Sequence, residues 1–239
     1  MQEPEAAADQ ILDSLTRQGY YHVREQNPVE WCEAVSAALG TILLRYDVVV
    51  DAERNAAQQR ARTFNKNRPS VYQPDSLGMH NDNSNWNILG WYCLQQDADG
   101  GSSLLIDASD VAGYFSPAEL DELCSTLVVL PTRDASGKQI GPHIPILSKV
   151  EGAYFVYWVP WLKLDNYTAR QAAVVERFEA YIRHKENHDL IELRMRPGEC
   201  LFIHNNRMLH ARRALDERSP RHLIRFSIRS PRIAGRTDA

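Results

Sequence analysis

The run Arg221-His222-Leu223-Ile224-Arg225-Phe226-Ser227-Ile228-Arg229 limits the fold more than any other stretch of the chain. Side chains of an extended strand alternate between two faces. Arg221, Arg225 and Arg229 therefore share one face, with Leu223 and Ser227 between them. His222, Ile224, Phe226 and Ile228 share the other, and that face calls for a core. The arginine face has two readings. It either meets solvent or points into a barrel, where a guanidinium grips a carboxylate through two parallel hydrogen bonds.

The rest of the chain supplies company for such a strand. Apolar spacing predicts a helix over residues 5–17, a strand over 20–24 and a second helix over 28–45, with Pro28 at its first position. The polar region from Asp51 to Gly78 reads as loop with one helical turn. Strand-like segments run from Trp86 to Asp107, broken by the turn at Asp97 to Gly101. Ser116-Pro117 begins a helix, with Glu119 placed for a capping box. Strands follow at 126–131, 143–149 and 153–158, then a helix over 168–186 with Ala172, Val175, Phe178 and Ile182 in register. The last strands are 190–196, 200–204 and 222–229. Many short strands with helices early and late predict a mainly β fold with flanking helices, a sandwich or barrel.

Composition narrows the function. A length of 239 residues fits one domain over 1–239: N-terminal helices at about 5–45, a β core at about 70–230, and the 168–186 helix packed outside. A net charge of -4 argues against nucleic acid as the main partner. No stretch has the roughly 20 apolar residues of a membrane span. The acidic, alanine-rich start lacks the pattern of a secretory signal, and Cys32, Cys93, Cys124 and Cys200 are scattered. Free thiols in a reducing cytoplasm are the expectation. The oligomeric state stays open, a homodimer included.

Metal chemistry enters at Gly78-Met79-His80-Asn81-Asp82. His80 and Asp82 are two apart, so on extended backbone they point the same way and can converge on one ion. The second half, Leu201 to His210, runs from an apolar strand through a polar turn to His210. Two histidines and one carboxylate form a facial triad that leaves open positions on iron(II). A zinc hydrolase could use the same set. Arg221 and Arg225 discriminate, because a dicarboxylate that chelates iron at one end needs an anchor at the other.

These segments resemble the taurine dioxygenase / clavaminate synthase-like superfamily. The matching motifs are Gly78 to Asp82, Gly100-Gly101-Ser102-Ser103 through Asp107, Ser116 to Leu120, and Pro197-Gly198-Glu199 through His210 and Arg212, followed by Arg221 and Arg225. They span most of the chain. The resemblance implies a double-stranded β-helix, or cupin-like jelly roll. It implies His80, Asp82 and His210 as iron(II) ligands. Arg221, eleven residues after His210, would hold the distal carboxylate of 2-oxoglutarate. Ser103 stands where the family usually has a threonine that hydrogen-bonds the same co-substrate. Arg225 would touch 2-oxoglutarate or an acidic group of the substrate. Related halogenases replace the carboxylate with a small residue, so Asp82 implies an oxygenation. The implied reaction consumes O₂ and 2-oxoglutarate, releases succinate and CO₂, and hydroxylates a C–H bond.

The substrate expectation is a small polar metabolite such as an amino acid or its derivative, met by Arg225, Asn65, Asn83 and Asn85. Trp86, Trp91, Tyr92 and Phe202 are candidates for a dry cavity wall, with plain core the commoner place for such aromatics. Thr63 to Leu77 and Pro131 to Pro145 are candidate lids. His204 reads as packing. Desaturation, epoxidation or cyclisation with the same cofactors remains an alternative. So do a cupin-like metal hydrolase and a non-catalytic small-molecule-binding barrel.

Overall fold

The computed structural model describes residues 2–61, 69–129, 143–162, 164 and 166–236. The chain begins with helix α1 (Pro4–Gln18), ended by Gly19 in the left-handed conformation at φ 82°. Strand β1 (Tyr20–Val23), helix α2 (Val29–Leu39), strand β2 (Thr41–Val49) and helix α3 (Ala52–Ala61) follow. Next come β3 (Leu77–His80), β4 (Ile88–Gln95) and β5 (Ser103–Asp107). Helix α4 (Pro117–Ser125) is capped as its sequence predicts, the Glu119 carboxylate accepting from the Ser116 N–H at 2.9 Å. Short strands β6 (Leu127–Val129), β7 (His143–Pro145), β8 (Leu147–Val150) and β9 (Ala153–Val156) lead to helix α5 (Ala169–His188). The chain closes with β10 (Ile191–Leu193), β11 (Cys200–His204), β12 (Met208–Arg212) and β13 (His222–Arg229).

Two antiparallel sheets carry the fold. One has the order β1-β11-β4-β13-β2, the other β10-β5-β12-β3. Strand alternation sorts the side chains into layers. Leu89, Leu201 and Leu223 from the larger sheet meet Leu105 and Met208 from the smaller one in an inner core. Their sequence neighbours Ile88, Phe202 and Ile224 turn outward and pack with Ile11, Leu15 and Trp31 of α1 and α2. Ile106 and Leu209, on the outer face of the smaller sheet, pack with Phe178 and Ile182 of α5. This two-sheet sandwich flanked by helices is a double-stranded β-helix, or jelly roll. No helix among the described residues is long and apolar enough to cross a membrane.

Four local expectations need correction. The second helix stops at Leu39 and does not reach 45. A Cβ on Gly40 would lie 2.4 Å from the Arg229 carbonyl oxygen, so the chain must turn there on a glycine and enter β2. Strand β2 then pairs with β13 from Thr41↔Arg229 to Val49↔His222. The polar region after Asp51 holds a ten-residue helix, more than the single turn expected. The turn expected to run on to His210 is only Asn205 to Arg207, and strand β12 carries the histidine. In α5, Val175, Phe178 and Ile182 are buried as their spacing requires, whereas Ala172 is exposed and Val174 takes its place in the core.

Candidate active site

The inner face of the sandwich gathers the polar side chains that the sequence singled out. His80 ends β3 and pairs directly across the ladder with His210 of β12. Their rings lie 4.3 Å apart, centroid to centroid. His80 Nδ1 sits 2.7 Å from the Gly78 carbonyl oxygen. A carbonyl only accepts, so Nδ1 carries the proton and Nε2 keeps its lone pair for the cluster. Burial, then the neighbouring His210, pushes His80 down to about 3, so it stays a neutral ligand at any ordinary pH. Asp82 lies two residues past β3, its Oδ2 3.1 Å from His210 Nε2. One donor atom from each of His80, Asp82 and His210 falls within 4.8 Å of the others. Two imidazoles and a carboxylate at that spacing fit one iron(II) ion on a single side.

Amides to which the sequence reading gave no role in positioning the triad hold this cluster. Asn205, in the turn before β12, accepts from the Asp82 N–H at 3.0 Å. Its amide nitrogen donates to the carbonyls of Asn83 at 3.2 Å and Trp86 at 2.8 Å. Asn81 donates to the Asn205 and Met208 carbonyls and accepts from the Trp158 N–H at 2.8 Å. The Asp82 segment and the His210 hairpin are thus tied together through buried backbone.

Arg225 explains the alternating strand. It is 3% exposed, so the solvent reading fails at this position. Its cross-strand neighbours are Tyr46 on β2 and Trp91 on β4. The guanidinium lies 5.6 Å from each of those rings and 5.8 Å from Trp86. Its Nη2 donates to Asp82 Oδ2. Burial alone would raise the Asp82 carboxyl, but Arg225 and the two histidines outweigh it and hold the group far below the usual carboxylate range. Arg229 faces outward instead and holds the Asn85 side chain at 3.0 Å. Asn85 is exposed and lines neither cavity, which corrects the expectation that it meets substrate.

Two cavities meet at His80 and Arg225. The narrow one, about 50 Å³, is lined by Ser103, His210, Arg212 and Arg221 together with Trp91. Arg221 is 5% exposed and its Nε has no hydrogen-bond acceptor among the described residues. Burial, then the nearby Arg212 charge, lowers Arg221 to about 10, which leaves it cationic at neutral pH. Arg212 spends its Nη atoms on the carbonyls of Val71, Gln73 and Asp75. None of the described residues lining the narrow cavity carries a carboxylate. A buried guanidinium without a carboxylate, beside the Ser103 hydroxyl, makes a seat for an anion. Gly101 lets the chain pass close to that seat, because a Cβ there would lie 2.9 Å from Arg221 Cδ.

The wide cavity, about 430 Å³, is walled by Tyr46, Tyr72, Trp86, Tyr157 and Trp161 and reaches Asn83 and Asp82. Trp86 and Trp91 line cavities, one each. Tyr92 and Phe202 do not. Strand alternation turns both outward, into the core against α1 and α2. Asn65 falls outside the described residues, as do 63–68 of the first candidate lid and 131–142 of the second, whereas Ser70, Val71, Tyr72 and Leu77 line the wide cavity. His204 is buried with its ring 5.9 Å from Phe155, a packing position.

Residues 2–227 match the family described as taurine catabolism dioxygenase TauD, TfdA family, and the chain belongs to that family. It is a non-haem iron dioxygenase whose co-substrate is 2-oxoglutarate. Among solved structures it is similar to an asparagine oxygenase in complex with Fe(II), 2S,3S-3-hydroxyasparagine and succinate. The TM-score is 0.66 at 17% identity, covering 93% of this chain and 79% of that one. A mutant of the non-haem iron oxygenase OrfP in complex with (3S)-hydroxy-L-Arg gives a TM-score of 0.70 at 17% identity, covering 94% and 80%. OrfP in complex with Fe and alpha-ketoglutaric acid gives 0.67 at 16% identity, covering 94% and 80%. No curated protein matches the chain by sequence.

Proposed function

We propose that His80, Asp82 and His210 hold iron(II) and that the chain, acting as one domain over 1–239, hydroxylates a small amino acid or amino-acid derivative. The carrying observation is the meeting of a narrow, cationic cavity and a wide, aromatic one at His80 and Arg225, beside the donor cluster. Bound iron supplies the redox chemistry that couples O₂ and 2-oxoglutarate to oxidation of a C–H bond.

The chain's own residues do the rest. Arg221 grips the distal carboxylate of 2-oxoglutarate in the narrow cavity, with the Ser103 hydroxyl beside it. Arg225 balances the Asp82 charge and presents a cation toward the wide cavity, where a substrate carboxylate docks near Asn83. The aromatic walls exclude water from the reacting carbon. The amino-acid reading is supported by the ligands of the similar structures, a hydroxyasparagine in one and a hydroxyarginine in another. A small-molecule substrate, without nucleic acid, suits the net charge of -4, and four free cysteines suit a cytoplasmic setting.

Anaerobic addition of Fe(II) and 2-oxoglutarate tests the site. A weak visible charge-transfer band is expected and should be absent in His210→Ala. No band in the unaltered protein, and no succinate with any candidate substrate, would overturn the proposal.

A further inference from the structure

Taking Arg221 as the anchor for the distal carboxylate of 2-oxoglutarate, as proposed above, we infer that Asp97 is the positioning residue that sets this anchor. It joins the turn that leads to Ser103 to the loop that delivers Arg221. By sequence Asp97 is only the start of a turn. In the structure it is 4% exposed, and its carboxylate gathers donors from both segments. Oδ1 accepts from the Asp99 N–H at 3.0 Å and the Gly100 N–H at 2.6 Å, both in the turn. Oδ2 accepts from the Asp216 N–H at 3.4 Å, and the Ser219 hydroxyl donates to the same carboxylate, both from the loop. Burial alone would raise this carboxyl, but Ser219 and the backbone donors outweigh it and bring it down to about 2.

The link to the anchor runs through Ser219. Its Oγ accepts from the Arg221 N–H at 3.3 Å. One hydroxyl therefore reaches the carboxylate with its proton and the backbone of Arg221 with a lone pair. Turn and loop touch again nearby. The Gly101 N–H donates to the Ala214 carbonyl and the Arg213 N–H to the Ser102 carbonyl, each at 3.0 Å. Arg194 holds the backbone of the turn, donating to the carbonyls of Asp97, of Ala98 at 2.6 Å and of Gly100 at 2.9 Å. Ser103 and Arg221, which share the narrow cavity, thus come from two segments that meet at Asp97.

Charge and position make opposite predictions for this residue. Asp97 places a negative charge near Arg221, so neutralising it would by electrostatics alone strengthen the binding of a dianion. Positioning predicts the reverse. An asparagine has one acceptor oxygen, and its amide nitrogen would face the N–H donors of the turn or those of the loop. One segment then loses its hold, and a two-bond contact between guanidinium and carboxylate tolerates little displacement.

The Fe(II)-loaded protein is titrated anaerobically with 2-oxoglutarate and with pyruvate, which has the same chelating end and no distal carboxylate. The charge-transfer band reports binding of each. In Asp97→Asn the dissociation constant for 2-oxoglutarate should rise about tenfold, as loss of an outer partner does at a liganded site, while that for pyruvate changes by less than about twofold. Equal or tighter binding of 2-oxoglutarate overturns the inference. So does a parallel loss for pyruvate, which would mark a purely structural residue. Arg221→Met tests the reading beneath it. If that variant keeps full affinity for 2-oxoglutarate, the anchor assignment fails and takes the role of Asp97 with it. If it loses affinity and Asp97→Asn does not, only the role of Asp97 falls. In the double variant Asp97→Asn should add nothing to the loss from Arg221→Met, and an additive loss counts against positioning. Should Asp97→Asn not fold, Ser219→Ala decides. Loss of one net hydrogen bond should weaken 2-oxoglutarate about fivefold and leave pyruvate unaffected, and an unchanged constant for 2-oxoglutarate overturns the inference.

Discussion

Replacing Arg221 with methionine separates what this residue does for the fold from what it does for the ligand. Its side chain is 5% exposed, its Nε donates to nothing among the described residues, and the Arg212 charge lies nearby. An apolar side chain of similar length removes a buried like-charge contact, a change that is commonly neutral or stabilising. The unliganded variant should therefore melt within about 2 °C of the parent or above it. The ligand response should collapse. A bidentate charge-assisted contact contributes about 2–4 kcal/mol, or roughly 30- to 1000-fold in affinity. At 100 times its dissociation constant, 2-oxoglutarate stabilises the parent by about 2.7 kcal/mol. For a chain of this length that is about 5–11 °C in Tm. At the same concentration the variant keeps less than about 1 kcal/mol, under about 4 °C. Thermal unfolding with Mn(II) as a redox-silent metal, with and without 2-oxoglutarate, reads both effects. A variant that melts more than about 6 °C lower unliganded, yet keeps the full 2-oxoglutarate shift, would refute the assignment and make Arg221 a structural residue.

Other perturbations have equally definite signs. Asp82→Ala leaves Arg225, 3% exposed, without its carboxylate, and should cost about 3–5 kcal/mol in urea unfolding of the metal-free protein. Asn205→Ala removes the acceptor for the Asp82 N–H and the donor to the Asn83 and Trp86 carbonyls. Metal affinity, measured by Mn(II) titration calorimetry, should fall about 10- to 100-fold while the fold persists. Burial holds His204 at about 4 in the native state, below its ordinary value of 6.5. Between those values the unfolded chain takes up a proton that the native one does not, so the stability is complete above pH 6.5 and is lost as pH falls. The loss approaches ~3 kcal/mol near pH 4. His204→Gln should flatten the acid side of the metal-free stability curve, and an unchanged slope would contradict the buried neutral imidazole.

Much of this was readable from residues because local pattern and tertiary role coincide. The strict alternation from Arg221 to Arg229 predicted the strand, and its two arginine readings both occur: Arg225 turns inward and Arg229 outward. Position along the strand relative to the second sheet decides between them, which no local pattern encodes. The helix reading ran on to residue 45 because Leu43 continues the apolar spacing of Trp31, Val35 and Leu39. The break at Gly40 is set by the backbone of Arg229, nearly two hundred residues away in sequence. Strand β12 was hidden because Asn205 to Arg207 turns more tightly than a polar run suggests. Asn85 was grouped with Asn83 by proximity alone, yet a strand-end arginine captures it. Asn81 and Asn205 were invisible as a pair, since the bonds that join their segments span more than a hundred residues of the chain.

That pair has a consequence for how the protein acquires its metal. In small zinc modules the ion closes the fold, and a chelator unfolds them. Here the two ligand-bearing segments are tied through Asn81 and Asn205 to backbone groups, bonds in which the ion takes no part. Folding and metal loading are then separate events. The chain can complete its sheets first, take up iron afterwards, lose it to a chelator and be reloaded without passing through the unfolded state.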